Sequence, residues 1–265
     1  MSKRSTKLGP LSLFSLVREA RKGAGDPRPL AVAGARELVP VLARELRAGG
    51  EAAAVVEGRT HGAAAIVWVG AADENELRAA SRAGIPVVAV TDEESLPYVL
   101  ATDLVHVPAG QGFPVDEIAA AVARKLGEGG TSLAVRLPVL RPAVCAELIR
   151  SFSKRNGMIG AAVFVPGVDM PILTLNQARL VLRIALAYGQ EIDNQRAAEL
   201  LGVVGAGFGF RAIARELLDL VPVAGWAVKG AVAYTGTRAV GEAAVRYFEG
   251  RGRELSARPR RTGPR

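Results

Sequence analysis

The 265-residue chain has one cysteine, two histidines and only 5% aromatic residues, and each shortage removes a class of function. Cys145 alone can form no intramolecular disulfide and no cysteine-rich zinc site, which fits a reducing compartment; it is expected as a small buried apolar residue. His61, in the loop GRTHG, and His106, in the strand-like LVHVP, have no Cys or His at ligand spacing beside them, so no metal site is expected. Aromatics are not interleaved with basic residues and no recognition motif is present, which argues against nucleic-acid binding even though an Arg-rich tail ends the chain. The N-terminal LSLFSLV is too short for a secretory signal and is followed by charge without a small-residue cleavage pattern.

What the chain does have is apolar mass built from Ala, Val, Leu and Gly: 49% hydrophobic residues with a mean hydropathy of +0.21. Such a mix suits tight packing of small side chains. The net charge of +8 is uneven. Residues 1–135 hold 15 Lys/Arg against 16 Asp/Glu, and residues 136–265 hold 19 against 10. The final stretch, RGRELSARPRRTGPR, has six arginines and one glutamate, and its Gly and Pro content predicts a disordered tail able to meet anionic lipid.

Two patterns divide the chain near residue 135. Between residues 30 and 127, short apolar runs (PLAVAG, EAAAVVEG, AAAIVWVG, IPVVAV, LVHVPAG) alternate with helical stretches, the signature of a parallel sheet covered on both faces. Beyond the Pro-punctuated TSLAVRLPVLRP, long Ala/Leu/Gly helices take over. The expected fold is α/β plus all-α, a small open parallel sheet of about five strands, Ras-like or Rossmann-like, followed by Gly/Ala-rich helical hairpins. The expected boundaries are a basic amphipathic or disordered arm over 1–28, the α/β domain over 29–130, a linker over 131–142, the helical domain over 143–250 and the tail over 251–265.

A sheet of this kind carries its site at the carboxyl ends of its strands, so nucleotide motifs are sought there. The first strand ends at Gly34 without the second Gly, the Lys and the Ser/Thr of a P-loop, and G-x-G-x-x-G is also missing. The element order, and AAAIVWVGAADENELRAASRAGIPVVAVTDEE in particular, resembles a reduced Ras-like GTPase domain of the Era type. That family has [NT]-K-x-D after the fourth strand; here the segment is Thr91, Asp92, Glu93, Glu94, with an acid in place of the Lys. Pro108, Ala109 and Gly110 stand where the family has Ser-Ala-Lys. A degenerate, non-catalytic domain is expected, with no catalytic residue and no cofactor. A GTPase or ATPase using Gly34, Thr91 and Asp92, with GTP and Mg as cofactor, is the alternative. Asp92, Glu93 and Glu94, like Asp116 and Glu117, are expected at helix starts, where acids meet the helix dipole; Asp103 has no identifiable partner.

The stretch GMIGAAVFVPGVDMPILTLNQARLVLRIALAYGQEID, residues 157–193, predicts a helical hairpin. PGVDMP is expected as the turn, and Thr174 and Gln177 as a capping box opening the second helix. In that helix Arg179 and Arg183 lie four apart on one face while apolar residues cover the rest, so it is either deeply buried or faces lipid. The charge-free runs 157–168 and 170–178 fall short of the ~20 residues that span a bilayer, and Asp169 separates them, which points to an interfacial or re-entrant hairpin. Further on, Gly202, Gly205, Gly209 and Ala212 share one helix face, and Gly230, Ala233, Thr237, Gly241 and Ala244 repeat that period after VPVAG. The two stripes are expected to face each other.

PGVDMPILTLNQARLVLRIALAYG, followed by ELLGVVGAGFGFRAIARELLDLVPVAGWAVKGAVAYTGTRAVGEAAVRYFE, is similar to an uncharacterised helical domain found behind Era-like or dynamin-like GTPase domains in bacteria. The resemblance covers residues 143–249 and rests on Pro166, Gly167, Asp169, Pro171, Asn176, Gln177, Arg183, Gly205, Gly209, Pro222, Gly225 and Trp226. It implies attachment to the cytoplasmic face of the inner membrane and a GTPase-linked setting, with no known activity. The expected protein is a non-enzymatic, membrane-associated and self-associating one, its partners anionic lipid, further copies of itself and a protein of the GTPase family.

Overall fold

The structure is a computed structural model that describes residues 10–108, 110–162, 170–206 and 225–257. It has the expected fold class, an open parallel sheet with its helices and then an all-helical region. The chain forms two compact units. Residues 19–148 make the α/β unit, and residues 149–265 together with 1–18 make the helical unit.

Five strands, β1 (Leu30–Gly34), β2 (Val55–Glu57), β3 (Ala65–Val69), β4 (Val87–Thr91) and β5 (Leu104–His106), pair in the order β2-β1-β3-β4-β5, all parallel. The central β3 and β4 are buried along their whole length, as the unbroken runs AIVWV and VVAVT require of strands covered on two faces. On one face Ala31, Ala33, Ile66, Trp68, Val87 and Ala89 pack with Leu77 and Ala80 of α3 (Glu74–Arg82). On the other lie α2 (Val39–Leu46) and α4 (Val115–Leu126). The helices that follow β1 and β3 thus lie on opposite faces, and the crevice of a doubly wound sheet falls between those strand ends.

Capping chemistry sets the helix starts. Asp73 accepts from the amides of Asn75 and Glu76 at 3.0 and 3.2 Å and opens α3, and Asp116 and Glu117 occupy the first turn of α4, as expected. Asp92, Glu93 and Glu94 do not open a helix. They lie in bends after β4, where the Thr91 hydroxyl accepts from the Glu93 amide at 3.2 Å and turns the chain away from a helical start.

Residues 131–142, expected as a linker, are ordered parts of the α/β unit: α5 (Thr131–Arg136) and a 3₁₀ turn at Pro138–Leu140 bury Leu133, Ala134, Leu137 and Leu140. Arg136 fastens this segment by donating to the carbonyls of Asp26, Pro27 and Arg28 at 3.3, 3.1 and 2.6 Å, while its own carbonyl accepts from the Glu51 amide. The expected N-terminal arm contains α1 (Pro10–Ala24), with Leu16, Val17 and Ala20 buried.

The helical unit contains most of α6 (Arg141–Ala162), then α7 (Met170–Ala187), α8 (Asn194–Ala206) and α9 (Gly225–Ala257). Every residue of α7 from Leu180 to Ala187 is buried, Arg183 among them. Of the two alternatives for this helix, the buried one holds. α9 runs to Ala257, so the start of the expected tail is helical; residues 258–265 lie outside the described residues.

Candidate functional site

At the carboxyl edge of the sheet, Gly34 ends β1 with φ +115°, and a Cβ there would overlap the Val69 carbonyl oxygen and lie 2.9 Å from the Val69 nitrogen. Gly70 follows β3 with φ +90°, and its Cβ would lie 3.0 Å from the Ala35 methyl. The Ala35 amide donates to the Val69 carbonyl at 2.8 Å. The backbones at the ends of β1 and β3 therefore approach closely, and the need for glycine at residue 34 is steric. Thr91 is buried at the end of β4, its hydroxyl engaged by the Glu93 amide, and Asp92 is exposed beside it.

Gly34 and Thr91 sit on strands separated by β3, about 10 Å apart in the sheet. The loops at this edge carry Glu37, Asp73, Glu74, Asp92, Glu93 and Glu94 against Arg36 and Arg59. That surplus of acid repels a phosphate. Among the described residues no group of three His, Cys, Asp or Glu could hold a metal ion. His61 lies exposed in a turn, His106 is exposed on edge strand β5, Cys145 is buried, and Asp103 is ion-paired to Lys125.

The denser constellation lies in the helical unit. Asn156 of α6 donates its side-chain amide to the Thr237 hydroxyl of α9 at 2.8 Å and to the Leu173 carbonyl of α7 at 3.4 Å. Its side-chain oxygen accepts from Asn176 of α7 at 2.8 Å. Gln177 adds a 3.3 Å bond to Thr237, whose hydroxyl also bonds to the Ala233 carbonyl. Asn156, Asn176 and Thr237 are buried, so these side chains form a polar layer inside three packed helices.

Apolar and small residues close the layer on both sides. Towards the start of α6, a Cβ at Gly241 would lie 2.5 Å from the Ile149 side chain and 3.1 Å from that of Leu180. Towards the other end, a Cβ at Gly160 would lie 2.8 Å from the Ala233 methyl and 3.0 Å from the Lys229 carbonyl, and one at Gly230 would lie 3.0 Å from the Ala161 methyl. Close approach of α6 and α9 is what these glycines permit.

The stripe Gly230, Ala233, Thr237, Gly241 and Ala244 thus packs closely against α6 and α7. Of the expected opposite stripe, Gly202 is exposed, with nothing within 4 Å of the place a Cβ would take. Gly205 lies in the last turn of α8; Gly209 and Ala212 lie outside the described residues.

The capping box is also corrected. α7 already begins at Met170, with Pro171 in its first turn, where a missing N–H is tolerated, so Thr174 is an interior residue and Gln177 reaches across to Thr237. Gly225 and Trp226 open α9, while Pro166, Gly167, Asp169 and Pro222 lie outside the described residues. Asn156 was missed because nothing in the periodicity of FSKRNGMIG sets it apart, and the three bonds it makes are to residues 17, 20 and 81 positions away. Among the described residues no helix is long and apolar enough to cross a membrane. No family model, no curated protein and no solved structure matches the chain.

Proposed function

We propose that the protein is a non-enzymatic, peripheral membrane protein of the cytoplasmic face, whose helical unit binds anionic lipid while the α/β unit is a degenerate nucleotide-binding scaffold. One observation carries this reading. Residues 149–162 of α6, all of α7 and residues 225–241 of α9 contain seven Lys/Arg, the buried Arg183 among them, and no Asp or Glu; the acids of these helices, Glu147, Glu242, Glu249 and Glu254, lie outside those stretches. Helix stretches with such a surplus of basic residues attract an anionic surface over about a Debye length, ~8–10 Å at physiological salt, with each basic residue near the surface worth about 1 kcal/mol.

The sheet edge supports the non-enzymatic half of the reading, since steric demand accounts for Gly34 and the surrounding acids oppose phosphate. Flotation of the full-length chain with anionic and with zwitterionic vesicles tests the proposal: binding to the first that weakens with salt supports it, and absence of binding to both overturns it.

A further inference from the structure

The connection from β4 to β5 runs back over the sheet beside α3. Leu96 is buried in the core beneath α3 with Val99 packed against it, and the Tyr98 hydroxyl accepts from Arg78 Nε at 2.9 Å, so segment 92–103 and α3 lie side by side on one face. Tyr98 has φ +64° and is the one non-glycine residue with positive φ among the described residues, a backbone state that is costly for a bulky side chain. Its ring lies 5.7 Å from the Arg78 guanidinium, which also pairs with Glu74. Tyr98 is nonetheless 51% exposed, and Leu100, two residues on, is 65% exposed. Tyrosine and arginine are the side chains that most often anchor protein contacts, and large apolar groups left this open need a cover.

Charge on this face has a direction. α3 starts after β3 at the carboxyl edge of the sheet and ends before β4 at the amino edge, so Glu74 lies at the first edge and Arg82 at the second. The neighbouring segment repeats the order: Glu93 and Glu94 are exposed at its start, and near its end Arg124 of α4 donates to the Thr102 carbonyl at 3.3 Å. Arg82, Glu93 and Glu94 make no ion pair among the described residues. A face that is acidic at one end, basic at the other and apolar between is complementary to itself after a half-turn. A two-fold axis through its middle reverses α3 and sets the acidic end of one copy against the basic end of the other. A partner of one uniform charge would be opposed at one end, so the flanking charges select a second copy of the chain.

We propose that two copies of the chain pair through this face of the α/β unit, with Tyr98 and Leu100 packed about the two-fold axis and Arg82 of each copy meeting Glu93 and Glu94 of the other. The contact involves the α/β unit alone and does not rest on the membrane reading.

Sedimentation equilibrium of the full-length chain without vesicles tests this for wild type, Leu100→Asp, Arg82→Glu, Glu93→Arg/Glu94→Arg and the combination of those charge reversals, with thermal melts checking that each variant folds. Wild type is expected to dimerise as concentration rises. Leu100→Asp and either charge reversal alone are expected to raise the dimer dissociation constant by about tenfold or more. The combined reversals are expected to recover it, because each reversed charge again meets its opposite across the axis. Leu100→Ala supplies the same reading where the aspartate lowers the melting temperature. Wild type that stays monomeric up to ~100 μM overturns the proposal. So does a dimer that neither Leu100 variant weakens, since self-association then uses another surface. Charge reversals that each weaken the dimer without rescuing one another overturn the reversed arrangement on which it rests.

Discussion

The side-chain amide of Asn156 donates to the hydroxyl of Thr237 at 2.8 Å, tying α6 to α9 across 81 residues of chain inside a buried layer. Asn156 is the hub of that layer because it also donates to the Leu173 carbonyl and accepts from Asn176. Asn156→Ala leaves the Asn176 amide without its acceptor in a buried site, which costs about 1–3 kcal/mol. Urea denaturation followed by helical circular dichroism checks this. Asn156→Leu combined with Asn176→Leu removes donor and acceptor together and is expected to cost less than the single alanine.

Gly34 is read as steric, which separates two outcomes that a nucleotide site would join. Gly34→Ala forces a side chain into the Val69 carbonyl at φ +115° and is expected to destabilise the α/β unit by more than ~2 kcal/mol. Equilibrium binding of labelled GTP and ATP with Mg to the wild-type chain is expected to show no saturable affinity in the micromolar range. Micromolar binding abolished by substitution of Thr91 would favour an enzyme.

Arg136 donates three bonds to the carbonyls of residues 26–28 and is the device that seats the start of β1 against α5. Arg136→Ala is expected to lower stability by about 2–3 kcal/mol in a denaturant titration, because bonds from a charged donor are stronger than neutral ones. Arg136→Lys restores only part of the loss, since one ammonium cannot reach three carbonyls in the plane of a guanidinium.

The side-chain bonds from Arg28 hold the Asp26 carboxyl below its usual value of 3.8, with the Arg28 amide and the charge of Arg136 acting in the same direction. A carboxyl whose folded value is depressed stabilises the fold above its unfolded value and loses that contribution as pH falls through the folded one. The window is therefore below pH 3.8. Arg28 is 57% exposed, so the effect is a fraction of a kcal/mol. Melting temperature followed from neutral pH down to about pH 2 is expected to fall less steeply in Arg28→Ala than in wild type.

The architecture was readable where one local rule decided it. Runs such as AIVWV, too short for helices and apolar throughout, mark buried parallel strands, and the five strands follow from them. The helix start at Met170 was not readable in the same way. Thr174 and Gln177 carry a valid capping pattern, but tertiary bonds to Thr237 draw Gln177 across the unit and the helix begins earlier. The period of the glycines on α9 was legible, and their partner was not, because a stripe specifies close packing without saying what packs. α6 supplies it through Gly157, Gly160 and Ala161. The polar layer was least visible of all, since Asn156 and Thr237 acquire meaning only when three helices meet.

The measurement that bears most directly on the account is flotation of the full-length protein with phosphatidylglycerol-containing vesicles, beside phosphatidylcholine vesicles, at low salt and again at ~0.5 M salt, where the Debye length falls to about 4 Å. The account predicts that the protein rises with the anionic vesicles at low salt, that the high-salt fraction falls, and that phosphatidylcholine retains little. Protein that stays at the bottom of the gradient with anionic vesicles at low salt would contradict it.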